Sequence, residues 1–355
     1  MYIKYLSAFL TAFAISLLIT PIIKRVAIAK KWLDKPNWRK INKKPMPLLG
    51  GIAIYCGSIS SLLLFAKAEL SAEKFTGLIG GSLIIFLAGI ADDIKGITAR
   101  RKLFYQMVAA LIAYISGFSI IHATNLFGIT VYLPAIAGLL LTLFWIIGLT
   151  NAINLLDGLD GLAAGTSAII AGTLFFAGIR SDNITLSILS IAIAGGALGF
   201  LPYNFYPAKI FMGDTGSMFL GFMLSLISME GAYKGATFVA LIAPIIAMGI
   251  PVIDTFLAIV RRLTKGDKVF FADKEHIHHK LVISEGSQKK AVLMLYSITI
   301  YLGFISVSLM RMQGVWAFAA TVITIILIMR WMISFELITV KNKNGSDGGD
   351  NGKKK

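Results

Sequence analysis

The chain has 355 residues, of which 57% are apolar and only 15% charged, with a mean hydropathy of +0.79. An ordinary soluble enzyme would carry about a quarter charged residues, so that class is excluded. The net charge of +16 does not mark a nucleic-acid binder, because no basic region with interleaved aromatics stands free of the apolar runs.

Apolar runs of about 20 residues recur along the chain, each long enough to cross a hydrocarbon core ~30 Å thick as a helix. They do not alternate polar with apolar residues, as barrel strands would. In chain order the runs predict eleven spans, near 3–24, 47–66, 75–91, 103–118, 134–151, 162–179, 184–201, 215–230, 236–259, 291–310 and 315–333. The first is too long for the apolar core of a signal peptide, and basic residues follow it instead of a cleavage site, so it reads as a retained helix. The predicted fold class is an all-α polytopic bundle. Residues 1–333 form one membrane domain with its functional loops on one face, and residues 334–355 form a polar tail expected to be disordered. Cys56, the sole cysteine, lies in an apolar run and excludes a disulfide or a CxxC metal site.

Lysine and arginine set the expected orientation. Gaps after odd-numbered spans, with the tail, hold 28 of the 34, including Lys24, Arg25, Lys30, Lys31, Lys35, Arg39, Lys40, Lys43 and Lys44. The opposite gaps hold Lys4, Lys67, Lys74, Arg180, Lys234 and Arg311. This predicts an N-terminus outside, a C-terminus in the cytoplasm and a multi-pass protein of the cell membrane.

Most acidic groups fall at the cytoplasmic ends of spans. Asp92 and Asp93 close the third (ADDIKG), Asp157 and Asp160 follow the fifth (NLLDGLDG), Asp214 opens the eighth (GDTGS) and Asp254 lies near the end of the ninth. Ionisable groups beside hydrocarbon are expensive and point to function. Each also has a plainer reading. Asp92 and Asp93 could be a charged helix end, a divalent-cation site, a base, or partners for Arg100, Arg101 and Lys102. Asn154, Asp157 and Asp160 recur at i, i+3, i+6 near one helix face, with Gly158 and Gly161 permitting a tight turn; one aspartate would suffice for capping. Asp214 could cap the eighth helix, and Phe211 alone reads as interfacial packing. His276, His278 and His279 could be a solvated loop or a transition-metal site. The oxygen-rich company instead suits Mg²⁺ or Mn²⁺, with the imidazoles donating to anionic oxygens or sugar hydroxyls. Together with phosphate-binding candidates Arg100, Arg101, Lys102, Arg261 and Arg262, these groups suit phosphoryl transfer between a soluble nucleotide and a lipid.

PMPLLGG (45–51), ADDIKG (91–96), TNAINLLDGLDGLAAG (150–165), GFLPYNFYPAKIFMGDTGS (199–217) and the stretch from Pro251 through HIHHK (276–280) resemble the polyprenyl-phosphate N-acetylhexosamine-1-phosphate transferases, the WecA/TagO/MraY group. The matches run in order along nearly the whole chain. The resemblance implies a bundle of ten or eleven membrane helices, at times dimeric. It implies an Mg²⁺-dependent reaction of a UDP-N-acetylhexosamine with a polyprenyl phosphate, giving a polyprenyl-diphospho-sugar and UMP. Carried over by motif, Asp214 would be the principal metal ligand, with Asn154 beside it. Asp92 or Asp93 would deprotonate or orient the lipid phosphate, and Lys102 would bind phosphate. Asp160 would recognise uracil, Phe211 would stack on it and Asp157 would support the pocket. Arg261, Arg262 and the three histidines would contact diphosphate and sugar.

Two departures bear on this. Gly96 stands where the first motif is often written with a third carboxylate. HIHH resembles the N-acetylglucosamine branch, whereas the muramyl-pentapeptide branch tends toward three consecutive histidines. The resemblance therefore implies an N-acetylglucosamine-1-phosphate transferase starting a teichoic acid, O-antigen or related surface polysaccharide. A muramyl-pentapeptide transferase and a membrane transporter remain alternatives, but transporters favour midplane charges and repeated halves. An intramembrane prenyltransferase needs two Asp-rich motifs, and only ADDIKG partly matches one.

Overall fold

The structure is a computed structural model that describes residues 1–34, 44–124, 130–233, 248–253, 255, 277–309 and 315–334. The N-terminal half begins with helix α1 (Tyr2–Ala29), followed by short strands β1 (Leu33–Asp34) and β2 (Met46–Pro47), then α2 (Gly51–Phe65), α3 (Ala72–Lys95) and α4 (Ala99–Ile115). Strands β3 (His122–Thr124) and β4 (Thr130–Tyr132) lead to α5 (Ala135–Leu156), α6 (Leu162–Arg180), α7 (Ile184–Asn204) and α8 (Gly213–Tyr233). After the undescribed stretch come α9 (Ile277–Glu285), α10 (Gln288–Leu309) and α11 (Val315–Ser334). Strands β1 and β2, and β3 and β4, form two small antiparallel ribbons.

Six described helices are long and apolar enough to cross a membrane: α1, α3, α5, α6, α7 and α10. Many large apolar side chains on these helices face outward, including Leu18, Leu87, Phe144 and Phe304. That distribution suits lipid as the surrounding solvent, and the protein is an all-α polytopic membrane protein. Ten of the eleven expected runs lie on helices; the ninth, near 236–259, falls mostly outside the described residues.

Several helices outrun their expected bounds, and in α3 and α5 partnered polar groups explain it. Helix α3 opens where the Ser71 hydroxyl caps the Lys74 N–H at 3.3 Å. It continues through Asp92 and Asp93 because both carboxylates have donors. Helix α5 continues through Asn151 and Asn154 because Asn151 pairs with Gln106 and Asn154 with Ser217. Helix α9 was not expected; it lies within a stretch read as a polar loop.

Helix α1 packs on α2 and α7, α7 also packs on α6, and α8 lies between α3 and α5. The main core is built from these helices. A second core joins α9 and α10 to Leu156, Leu159 and Leu162, which flank the NLLDGLDG turn. At the end of the bundle away from that turn, Lys4 pairs with Glu69 at 2.5 Å, and Lys74 with the buried Glu230 at 2.8 Å. The second pair ties the start of α3 to the end of α8, so these helices run antiparallel, with Asp93 and Asp214 meeting at the other end.

Candidate active site

The site begins with a helix-end problem. The first N–H groups of α8 have no partner within the helix, and the Asp93 carboxylate supplies it. One oxygen accepts from the Asp214 N–H at 2.8 Å; the other accepts from the Thr215 N–H at 3.1 Å and hydroxyl at 2.6 Å. A carboxylate here is favoured by the helix dipole as well as by the bonds. Asp93 thus holds the turn that carries Asp214.

Such an approach needs bare backbone. A Cβ on Gly89 of α3 would run into the backbone of Thr215, and one on Gly51 of α2 into the backbone of Gly216. The segment around PMPLLGG is also laced to the chain before Asp214: Phe211 N–H to Pro47 C=O at 2.8 Å, Gly50 N–H to Phe211 C=O at 2.9 Å, and Gly51 N–H to Met212 C=O at 2.9 Å. The glycines of that motif therefore seat the Asp214 turn against α2.

Asp92 points elsewhere. One oxygen accepts from the Ile97 N–H at 2.8 Å, closing the break between α3 and α4. The other pairs with the Lys102 ammonium at 2.9 Å. Lys102, on the first turns of α4, also contacts the Asp214 carboxylate. Two carboxylates from different helices thus converge on one cationic group. One turn further along α4, the buried Gln106 exchanges hydrogen bonds with Asn151 of α5 at 2.8 and 3.2 Å. One turn after Asn151, Asn154 donates to Ser217 at 2.8 Å, and Ser217 donates to the Gly213 C=O at 3.0 Å. Asn154 therefore stands beside the Asp214 turn.

The turn after α5 carries Asp157 and Asp160. Burial, then the charges of Asp214, Asp93 and Asp160, pushes the Asp157 carboxyl up to about 8. Carboxylates packed this closely need a proton or a cation among them. Asp160 accepts from the Ala208 N–H at 2.9 Å. The Gly161 N–H donates to Asn204 Oδ1 at 3.1 Å, and Asn204 Nδ2 donates to the Ile210 C=O at 3.0 Å. These bonds lock the 157–161 turn to the 205–212 segment holding Phe211.

Eight expected site residues therefore gather at one end: Asp92, Asp93, Lys102, Asn154, Asp157, Asp160, Phe211 and Asp214. Arg100 and Arg101 are exposed at the start of α4. His278 and His279 lie on the first turn of α9, whose Leu281 is buried in the second core with Leu156, Leu159 and Leu162. His276, Arg261, Arg262 and Asp254 lie outside the described residues. Sequence reasoning missed Gln106, Asn151, Asn204, Thr215, Ser217 and Tyr296. Thr215 and Ser217 stand inside GDTGS, Asn204 inside PYNFYP and Asn151 inside TNAINLLDGLDG, so motif membership was a signal for those four.

Among the described residues no three His, Cys, Asp or Glu side chains form a ready-made metal cage. Mg²⁺ does not require one: it is commonly held by one or two carboxylates together with waters and substrate phosphates. Asp92 and Asp214, already converging on one ammonium, and the nearby Asn154 amide suit such an ion.

A probable undecaprenyl-phosphate N-acetylglucosaminyl 1-phosphate transferase of Bacillus subtilis (strain 168) is 38% identical over 349 residues, 96% of this chain and 94% of the relative. The profile of glycosyl transferase family 4 matches residues 75–232. The chain belongs to glycosyl transferase family 4. That match covers α3 through α8, and hence all eight gathered residues. Two other relatives in this group are a decaprenyl-phosphate N-acetylglucosaminephosphotransferase of Mycolicibacterium smegmatis and a phospho-N-acetylmuramoyl-pentapeptide-transferase of Geobacillus sp. (strain WCH70). The first is 35% identical, over 81% of this chain and 77% of its own. The second is 31% identical, over 79% and 90%.

Proposed function

We propose that the protein transfers N-acetylglucosamine-1-phosphate from UDP-N-acetylglucosamine to a polyprenyl phosphate, releasing UMP. The observation that carries this reading is the convergence of Asp92 and Asp214 on Lys102, at the end of a membrane bundle where the Asp157–Asp160 turn also lies. Phosphoryl transfer depends on positioning and charge neutralisation, and this cluster supplies both. Identities of 38% and 35% to two N-acetylglucosamine transferases, against 31% to a muramyl-pentapeptide transferase, favour the smaller donor.

In this reading Lys102 draws the lipid phosphate toward the site, and Asp92 orients it. An oxygen of that phosphate attacks the β-phosphorus of the donor; the new P–O bond forms as the bond to the α-phosphate bridging oxygen breaks, and UMP departs with that oxygen. Asp214 and Asn154 would hold Mg²⁺, or Mn²⁺ in its place, which would offset charge on the diphosphate. Asp157, Asp160 and Phe211 would seat uridine, and Arg261, Arg262, His276, His278 and His279 would meet diphosphate and sugar. A direct displacement suits the geometry: Asp93 is occupied by the α8 N-terminus, and Asp214 sits against Lys102, so neither is poised as a nucleophile. The lysine and arginine distribution supports eleven spans with the N-terminus outside and the site cytoplasmic. The product is the lipid-linked start of a cell-surface polysaccharide.

The test is UMP release by purified protein from UDP-N-acetylglucosamine with undecaprenyl phosphate and Mg²⁺, beside UDP-muramyl-pentapeptide and an Asp214→Ala control. Release with the small donor alone, lost in the variant and without the metal, supports the reading. Release with the muramyl donor alone overturns the choice of sugar; release with neither, from folded protein, overturns the transferase reading.

A further inference from the structure

We infer that Tyr296, on a helix outside every motif described above, is a positioning residue that fixes the Asp157–Asp160 turn for uridine-nucleotide binding. This rests on the reading of that turn as the donor-binding loop.

The turn has little regular structure of its own. It leaves α5 at Asp157 and enters α6 through Gly161, whose φ of +79° belongs to the left-handed region that suits glycine. Two long-range hydrogen bonds hold this glycine from opposite sides. Its N–H donates to the buried Asn204 side chain of α7. Its C=O accepts from the Tyr296 hydroxyl of α10, 135 residues away in sequence. One turn on, Gly165 faces the Tyr296 phenol, where a Cβ would overlap the ring. Phe205 lies on the same group, with ring centroids 6.5 Å apart. The phenol is thus packed between the α6 entry and the 205–212 segment.

The leucines of the turn belong to the same arrangement. Leu156, Leu159 and Leu162 are buried with Leu295, the neighbour of Tyr296 on α10. They hold the turn to α10 without setting direction, because apolar contact is non-directional. The Tyr296 hydroxyl supplies direction, since a hydrogen bond weakens steeply off its axis. It orients Gly161, the residue next to Asp160. Because the Gly161 C=O also accepts from the Gly165 N–H at 2.9 Å, losing the hydroxyl leaves the start of α6 bonded, so Tyr296→Phe should fold.

The experiment measures UMP binding calorimetrically to full-length wild-type protein and to Tyr296→Phe, without lipid acceptor, alongside thermal unfolding. Gly165→Ala, which pushes the phenol away while keeping its hydroxyl, is the second variant. Glu230→Gln, remote from the turn, is the control for a general loss of stability. We expect Kd for UMP to rise about three- to tenfold in both turn variants, as loss of one hydrogen bond implies, and to stay unchanged in Glu230→Gln even if its Tm falls. In turnover, KM for the UDP-sugar should rise while KM for polyprenyl phosphate holds. Equal UMP affinity in wild type and Tyr296→Phe, with at most a lower Tm, would overturn the role of Tyr296 while leaving the transferase reading intact. No UMP binding by the wild type would overturn the donor-loop reading and this proposal with it. UMP binding without transfer would sink the reaction alone, and the Kd comparison would still decide Tyr296.

Discussion

Asp93 of α3 caps the helix that presents Asp214, accepting the Asp214 N–H at 2.8 Å with one oxygen and both donors of Thr215 with the other. Adjacent aspartates thus divide their work, since Asp92 faces Lys102 instead. Asp93→Ala should destabilise the protein by about 1–2 kcal/mol, the usual cost of a lost helix cap, and lower kcat by displacing the Asp214 turn. Unfolding and initial rates measured together check this. A variant of wild-type stability and activity would remove the capping role.

Lys102 touches carboxylates from two helices, so its removal leaves Asp92 and Asp214 facing each other unshielded. Lys102→Gln is expected to reduce kcat about 100-fold or more. Lys102→Arg should restore only part, because a planar fork does not replace a compact charge between two separate oxygens. Steady-state kinetics at saturating donor and lipid decide the point; full activity in Lys102→Gln would refute it.

The pH dependence of stability should carry the mark of Asp157. Its carboxyl lies near 8 in the folded protein against a reference of 3.8. Between those values the folded state retains a proton that the unfolded state has lost. Stability in metal-free buffer should therefore fall as pH rises from about 4 to about 8, and level off above. Asp157→Asn should flatten that fall. Thermal unfolding from pH 5 to 9 measures it, and identical profiles for the two proteins would count against the burial and charge crowding described.

The Lys74–Glu230 pair should matter for stability alone. Glu230 is 5% exposed, and stripping its charge removes the carboxylate that faces the Lys74 ammonium. Breaking a buried pair from one side costs about 3–5 kcal/mol. Glu230→Gln is expected to lower Tm with KM for both substrates unchanged; a changed KM would tie this distant end to the site.

Much of this was legible in the sequence because membrane burial leaves a strong one-dimensional record. Long apolar runs located the helices, and aspartates beside them located the site. Asp92, Lys102, Asn154, Asp160 and Asp214, drawn from separate motifs, fall at one end of the bundle. What stayed hidden depends on partners far away in sequence. Nothing in ADDIKG tells which aspartate faces inward, since that depends on α8 presenting its N–H groups to Asp93 across 121 residues. The fifth span was expected to stop at Asn151, because the partners that carry the helix on, Gln106 for Asn151 and Ser217 for Asn154, lie 45 and 63 residues away. Tyr296 sits in an apolar helix where an aromatic is unremarkable, and only its contact with Gly161 sets it apart.

The two cores give the molecule a seam. The Asp92–Lys102–Asp214 cluster stands on helices of the larger core, whereas the leucines around Asp157 and Asp160 are rooted in the smaller one with α9 and α10. Substitutions in α9 and α10 would therefore act first on the Asp157–Asp160 turn and leave the Asp92–Lys102–Asp214 cluster in place. On the proposed reading, uridine recognition and lipid-phosphate handling then rest on separate flanks of the bundle.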